Sequence, residues 1–502
     1  MLRINLRRNS RLVTVILVIS LLLLFCAQSK VLILKDPLIL IDEAMYAEIA
    51  KNLLKEGKLG LDFWDNAYHA VGQQFYVYPP VAFYLLASWF KIFGFSILNQ
   101  RLLTLFISIG FYLVFFFYAK SFFRGKYTHL PALIVLILLN IDPFFSQATR
   151  FGRLEIMVTF FGTIALFTFK KSYTEKIDPK LKPLWIICSG FFASLALLTH
   201  YIGIIFALSI ITSCLIYEGI NPLKAKSTRL FLGAFLMLPA IWAVSLLPNI
   251  ASAKLQFLQA TNGFVLYPGF LVLFWQNLYF KLIISCCILL SLAIFFYLTK
   301  SKNKTIIPLF SLMTFGWFIN SLSYREWYFV YALPSLYLAT IIILTRSFEA
   351  SFRDSSKLLK DFIRITLSIL VVTGIAYKII LISLNFGSDY NYDQFTEKIL
   401  ERIPEEKTVF LSSIPDPYYA IKERQRNIKI YEWPVVRIDT QDLLSLLDNS
   451  DYIVFSGVYN GSSTIIQSYL KINSDQITEI GSENQYQALV VKLKPREQRL
   501  HQ

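Results

Sequence analysis

Long apolar runs alternate with short basic segments over the first three-quarters of the chain. The runs fall at 12–34, 101–123, 130–147, 154–170, 184–199, 201–217, 230–248, 278–299, 306–323, 328–345 and 363–384. Each is long enough to cross a bilayer or nearly so. The pattern predicts a polytopic α-helical membrane protein of about eleven spans. The first run follows Arg3, Arg7, Arg8 and Arg11. A cleaved signal would have an apolar stretch of about 7–15 residues and then a small-residue cleavage site. Here the apolar character continues through Val31 to Leu34, so this run is expected to persist as a helix.

Two segments depart from short connections between spans. The loop 35–100 holds an amphipathic helix at 42–55, with Ala44, Ala47, Ile49, Ala50, Leu53 and Leu54 on its apolar side. An aromatic stretch, Phe75-Tyr76-Val77-Tyr78-Pro79-Pro80, comes next. A second helix at 81–93 stops at Gly94 and is too short to span, so it is expected at the membrane interface, as is the loop 248–277. From residue 385 the pattern changes again. Strands are predicted at 408–412, 428–431, 452–456 and 488–493, and helices at 392–402, 418–425, 440–447 and 462–472. That alternation predicts a small α/β domain with a parallel or mixed sheet at 385–502, behind a membrane domain at 1–384.

Composition agrees with the pattern. Apolar residues make up 55% of the 502 residues, charged residues 16%, and the mean hydropathy is +0.53. The formal charge of +16 does not mark a nucleic-acid surface, because Lys and Arg sit in short loops between apolar runs. One set of loops carries Lys120, Arg124 and Lys126; Lys170, Lys171, Lys176, Lys180 and Lys182; Lys224, Lys226 and Arg229; and Lys300, Lys302 and Lys304. The positive-inside rule puts that set and the N-terminus in the cytoplasm of a plasma or inner membrane. An odd number of spans then makes the α/β domain extracytoplasmic. The five cysteines all lie in apolar runs and have no zinc-type spacing.

Candidate chemistry gathers on the outer side. Asp42 and Glu43 follow the first span, where two adjacent carboxylates need water or partners. Alternatively, Asp42 caps the 42–55 helix and Glu43 complements its dipole. The second outer loop brings Arg150, Arg153 and Glu155 just ahead of a span. They form either an interfacial Arg–Glu pair or an anion site, since guanidinium forks suit phosphate oxygens. His200 and Tyr201 sit at a hairpin, and Arg325 and Glu326 at a further outer end. A metal set of Asp42 and Glu155, holding magnesium or manganese, is left open by the residues alone.

The ordered motifs resemble those of the GT-C glycosyltransferases. They are Asp42-Glu43-Ala44-Met45-Tyr46-Ala47-Glu48, Tyr78-Pro79-Pro80, Phe83 through Gly94, and Arg101-Leu102. Arg153-Leu154-Glu155, Thr199-His200-Tyr201 and Arg325 with Tyr331-Ala332-Leu333-Pro334 continue the series. The nearest groups are protein O-mannosyltransferase-like, aminoarabinose-transferase-like and Rgt-type enzymes. The resemblance implies transfer of a sugar from a polyprenyl-phosphate donor to a glycolipid, glycan or protein acceptor at the outer face, with inversion. It implies catalytic roles for Asp42 as base, Glu43 and Glu155. It implies donor-phosphate binding by Arg153, His200 and Arg325, and a substrate cavity touching Tyr78, Tyr201 and Arg150. His200 stands where aminoarabinose-type relatives have Lys, and Val77-Tyr78 stands where they have Glu-Lys, so neither their acidic metal ligand nor their sugar preference carries over by the resemblance. The α/β domain is expected to position acceptor and to hold no catalytic group. A lipid-sugar flippase would need polar residues at mid-membrane depth, and a glycan polymerase would place its large loop late, so both fit the pattern less well.

Overall fold

A computed structural model describes Phe25 and residues 39–64, 69–123, 128–173, 178–218, 225–262, 307–323, 326–351, 391–412, 414–432, 440–456, 464–481 and 488–499. Most of the run 12–34, and all of 278–299 and 363–384, lie outside them, as does Arg325. Helix α1 (Ile41–Glu56) opens with a capping arrangement in which the Glu43 carboxylate accepts the Leu40 N–H at 2.9 Å. The N-cap is therefore Leu40, and Asp42 lies inside the first turn rather than at the cap. Gly57 closes α1 at φ 70°, a left-handed position that suits glycine. Helix α2 (Val81–Phe93) stops at Gly94, at φ 87°.

Helix α3 (Ile97–Lys120) is capped by Ser96. The predicted run 130–147 divides into α4 (His129–Ile141) and α5 (Pro143–Ala148), because Asp142 caps α5 through the Phe145 N–H and Pro143 cannot continue α4. The chain continues with α6 (Glu155–Ser172), α7 (Lys182–Thr199), α8 (Ile204–Glu218), α9 (Lys226–Leu246), α10 (Ile250–Asn262), α11 (Ile307–Ser323) and α12 (Leu333–Ser351). Among the described residues three helices are long and apolar enough to cross a membrane: Ile97–Lys120, Lys182–Thr199 and Lys226–Gln259. Helix α7 packs on both α6 and α9. Its approach to α9 is close at Gly190, where a Cβ would lie 2.4 Å from the Phe231 carbonyl.

The remainder is α13 (Tyr392–Leu400), β1 (Thr408–Ser412), α14 (Asp416–Glu423), β2 (Lys429–Glu432), α15 (Thr440–Asp448), β3 (Tyr452–Ser456), α16 (Thr464–Asn473), β4 (Ser474–Ile480) and β5 (Ala488–Leu493). The sheet runs β2-β1-β3-β5-β4, parallel across β2, β1 and β3 and antiparallel across β5 and β4. A mixed sheet was one of the two expected forms. Strand β4 was not expected: it is a largely exposed edge strand with polar residues on both faces, so it carries no alternation. One face of the sheet packs Phe410, Ile453 and Val491 on Leu443, Leu447 and Ile466. The other face puts Val409, Leu411 and Val454 into the same core as the membrane helices.

Helix α14 makes the junction. Tyr418 Oη donates to Glu48 of α1, and Lys422 Nζ pairs with the same carboxylate at 3.1 Å. Tyr419 Oη donates to Gln100 at 2.8 Å, and Glu423 accepts the Ile97 N–H at the start of α3. Burial pushes the Glu423 carboxyl up to about 7, and burial beside Lys422 brings Lys51 down to about 8. Between the ordinary carboxyl value and about 7, the unfolded chain has released the Glu423 proton and the folded chain retains it. Stability therefore falls as pH rises through that window. From about 8 up to the ordinary lysine value the unfolded chain holds the Lys51 proton and the folded chain has shed it, so stability rises. Thermal unfolding in detergent is expected to reach a minimum melting temperature near pH 7–8, where the two windows meet. Glu423→Gln should flatten the acid limb only, and an unchanged acid limb in that variant would remove Glu423 from this account.

Candidate active site

The site is built where α1, the start of α3 and the segment leading into α6 converge. Glu43 is fully buried and forms the knot. Its carboxylate takes Arg101 in a two-pronged pair, Nε to Oε1 at 2.8 Å and Nη2 to Oε2 at 2.7 Å. It also accepts the Gly152 N–H at 2.7 Å and the Leu40 N–H. Gln100 adds a second layer, donating to the Glu43 and Gly152 carbonyls while accepting from Tyr419. Gly152 has to be glycine, since a Cβ there would lie 2.8 Å from Glu43 Oε1 and 2.7 Å from Gln100 Cγ. With four donors on one carboxylate and no exposure, Glu43 is a strut. Both its oxygens are engaged by these donors, an arrangement that suits a positioning role rather than the catalytic one expected for it.

One residue earlier on α1, Asp42 points to a different neighbourhood. Arg153 Nη1 meets Asp42 Oδ2 at 2.8 Å, and Arg153 Nη2 meets Glu155 Oε1 at 2.8 Å, with Nε also donating to Glu155. One guanidinium thus bridges two carboxylates, leaving a formal net charge of −1. The Asp42 side chain is 30% exposed and that of Glu155 is 9% exposed, so Asp42 is the one open to an incoming group. Arg153 was expected to hold donor phosphate. It pairs with both acids and so fixes the Asp42 carboxylate.

Aromatic rings enclose this group. Tyr46 of α1 is wholly buried, and the charges of Asp42, Arg153 and Glu155 all act on it, together with Tyr78. Burial, Tyr78 and Asp42 push its phenol well above the ordinary value, so it remains a hydrogen-bond donor at neutral pH. Tyr78 meets Tyr46 edge-on, with centroids 5.9 Å apart, and lies 5.3 Å from the His200 ring. Tyr328, in the short helical turn Glu326–Tyr331, flanks His200 from another side at 5.9 Å. The Ile202 N–H donates to His200 Nδ1, which orients the ring at the end of α7. Asp42, Arg153 and Glu155 thus form one ion-paired group, and Tyr78 and His200 are linked to it through Tyr46.

Two residues expected in the cavity have other work. Tyr201 turns to Trp242 and Phe257, and its hydroxyl lies 3.4 Å from the Tyr76 carbonyl. Arg150 is buried and donates to Ser146 one turn back. Neighbouring α10 braces the first loop: Gln256 accepts the Tyr76 N–H and donates to the His69 and Gln74 carbonyls. The region 248–277, expected only to lie at the interface, thus includes a helix that shapes the loop. Sequence reasoning did not single out Tyr46, Gln100, Tyr328 or Glu48 as parts of this constellation. Tyr46 and Glu48 lie on α1, Gln100 on α3 and Tyr328 in the turn Glu326–Tyr331, and their partners come from segments distant in sequence.

Asp42 and Glu155, the pair considered for a divalent cation, do not fit one in this arrangement. The Arg153 guanidinium already occupies the bridging position between them. Among the described residues no three His, Cys, Asp or Glu side chains gather as a metal set.

Comparison with known proteins points the same way as the geometry. Residues 77–246 match the family model for dolichyl-phosphate-mannose-protein mannosyltransferase, which is a third of the chain. An uncharacterized protein of Aquifex aeolicus (strain VF5) is 30% identical over 139 residues, 27% of this chain; the match spans about a quarter of that relative's length, 25%. ArnT from Cupriavidus metallidurans, in its structure bound to undecaprenyl phosphate, superposes with a TM-score of 0.55 at 14% identity, covering 95% of this chain and 97% of ArnT. The oligosaccharyltransferase AglB from Archaeoglobus fulgidus, in complex with an inhibitory peptide and a dolichol-phosphate, gives a TM-score of 0.53 at 13% identity over 95% of this chain and 74% of AglB. A second structure of the Archaeoglobus fulgidus oligosaccharyltransferase, with zinc and sulfate, gives 0.52 at 14% identity over 94% and 72%. The chain therefore shares the fold of ArnT and of the archaeal oligosaccharyltransferase across nearly its whole length, and its residues 77–246 match the mannosyltransferase family model.

Proposed function

We propose that this protein is a membrane glycosyltransferase that moves a sugar from a polyprenyl-phosphate donor to a hydroxyl-bearing acceptor at the outer face of the membrane. The observation that carries this reading is Asp42: a partly exposed carboxylate, held by Arg153 beside the buried Tyr46, with the Tyr78 and His200 rings next to Tyr46 in turn. Asp42 takes the proton of the acceptor hydroxyl as its oxygen attacks the anomeric carbon. The bond to phosphate breaks with its electron pair, and polyprenyl phosphate leaves from the opposite face, so configuration inverts. A carboxylate suffices as base because the hydroxyl becomes acidic as the new bond forms. His200 and Arg325 are assigned to the departing phosphate, where cationic and donor groups stabilise developing charge. Binding of polyprenyl phosphates by ArnT and AglB supports this donor class.

The test is mass spectrometry of surface glycolipids and glycoproteins from a strain lacking the gene. One sugar should be missing, and it should return with the wild-type gene but not with Asp42→Asn. No change in any surface glycan would sink the reading. Orientation is tested separately. Reporter fusions after Ser172, Lys302 and Gln502 should read inside, inside and outside, as the distribution of Lys and Arg requires. An inside reading at Gln502 would overturn the proposed topology.

A further inference from the structure

A cavity of about 470 Å³ opens in the α/β domain, at the end of the sheet where β1 and β3 begin and β5 finishes. All of its lining lies between Lys407 and Arg499, so it is separate from the Asp42 group. Positive charge gathers there against the trend of the domain. Residues 385–502 hold 13 Lys and Arg against 17 Asp and Glu. Five of those cations line the cavity (Lys407, Lys492, Lys494, Arg496 and Arg499) but only three of the acids do, Asp448, Asp451 and Asp475. The fold fixes these walls. Arg499 donates to the Leu447 and Ser450 carbonyls at 3.1 and 3.0 Å, which ties the short helix Arg496–Arg499 to the end of α15. Asp451 accepts the Thr408 N–H at 2.9 Å and pairs with Lys407 at 3.6 Å. Asp475 sits at a bulge between Ser474, opposite Leu493, and Gln476, opposite Lys492, and a bulge re-aims the side chain it carries. Its Oδ2 meets Lys492 Nζ at 3.1 Å, and Asp448 Oδ1 accepts from Tyr469 Oη at 2.6 Å. Each acid thus has a partner. Arg496 is exposed and makes no ion pair among the described residues, and Lys494 Nζ reaches a carbonyl, that of Ile472 at 2.7 Å, rather than an acid.

We propose that this cavity binds an acidic sugar, a hexose bearing a carboxylate or phosphate group, with Arg496 and Lys494 on the anion and the second oxygens of Asp448 and Asp475 on hydroxyls. The volume is that of a small-molecule pocket and far exceeds what a lone oxyanion fills. Arginine and lysine supply charge-assisted donors to carboxylate or phosphate oxygens. Carboxylates set among the cations repel a bare anion but accept from hydroxyls, so the mixed lining favours a ligand that carries both groups. Apolar lining is limited to Leu493, Pro495 and the largely buried Tyr452, which gives a lipid chain or a nucleobase little to pack on. Binding here is independent of what Asp42 does.

The experiment is isothermal titration of the full-length protein in detergent at low ionic strength, where exposed charges are least screened. The titrants are glucuronate, glucose 6-phosphate, neutral glucose, inorganic phosphate and short-chain phosphatidylglycerol. One of the two acidic sugars should bind at least about tenfold more tightly than glucose and than inorganic phosphate, as one charge-assisted contact or a set of hydroxyl contacts is worth. Substituting Arg496→Ser together with Lys494→Gln should weaken that binding at least about tenfold. Neither side chain belongs to the core, so the melting temperature should hold. The control, Lys398→Gln with Lys471→Gln, removes the same charge from exposed positions of the same domain outside the cavity and should leave binding unchanged. Absence of binding by both acidic sugars would overturn the proposal, as would glucose or inorganic phosphate binding as tightly as they do. An equal loss in the control would reduce the effect to diffuse charge and overturn it too. Tighter binding of phosphatidylglycerol than of either sugar would make this a lipid-headgroup site instead.

Discussion

Asp42→Asn is expected to lower acceptor-dependent transfer by about 10²–10⁴-fold while leaving a folded, inserted protein, the range typical of losing a positioned general base. The substitution is nearly isosteric and keeps an oxygen that can accept from Arg153. The guanidinium retains the Glu155 carboxylate on its other side, so no buried charge is left unopposed. Because Asp42 is partly exposed, its ion pair adds at most about 1 kcal/mol to stability. Activity and stability should therefore separate cleanly. The control is Arg153→Met, which releases both carboxylates: it should slow transfer through misplacement of Asp42 and also lower the melting temperature, since Glu155 is then buried without its partner. If Asp42→Asn turns over at close to the wild-type rate, Asp42 does no more than complement the α1 dipole, and the search for a base moves to Glu155.

What the sequence made legible follows from range. Helix ends set by local chemistry were readable: Gly94 stops α2 and Gly57 closes α1, where only left-handed backbone serves. Four of the five strands of the α/β domain were readable because they alternate or run apolar, and β4 was missed because its residues are polar on both faces. The acidic motif, Arg153, Glu155, Tyr78 and His200 were found as residues; Asp42, Arg153 and Glu155 form one ion-paired group, with Tyr78 and His200 linked to it through Tyr46. Their division of labour was not readable. Asp42 and Glu43 are neighbours in sequence and carry the same charge, yet successive positions on a helix point about 100° apart. One meets Arg153 with its side chain partly exposed and the other meets Arg101 in the core. That difference depends on which arginine of a distant helix or loop arrives at each position, and no local spacing encodes it.

Glu43→Ala is expected to be a folding defect rather than a catalytic one. It removes the carboxylate that takes Arg101 through two hydrogen bonds, with both side chains fully buried. Breaking one side of such a pair costs about 3–5 kcal/mol, because the remaining charge is left in a low-dielectric interior. The Gly152 and Leu40 N–H groups lose their acceptor as well. Against a total stability of about 5–15 kcal/mol for a typical domain, the variant should accumulate poorly and melt well below wild type. The effect reaches beyond α1, since the same knot holds Gln100 and, through it, Tyr419 of the α/β domain. Arg101→Met alone should be comparably damaging, as it buries the Glu43 charge without its cation. The double variant Glu43→Leu with Arg101→Met should recover part of the loss, because replacing both members of a buried pair by apolar side chains avoids the uncompensated charge. Thermal unfolding of wild type, Glu43→Leu, Arg101→Met and the double variant in one detergent reads the coupling directly. A Glu43→Ala protein that melts with wild type but no longer transfers sugar would show that Glu43, not Asp42, is the acid that does the chemistry.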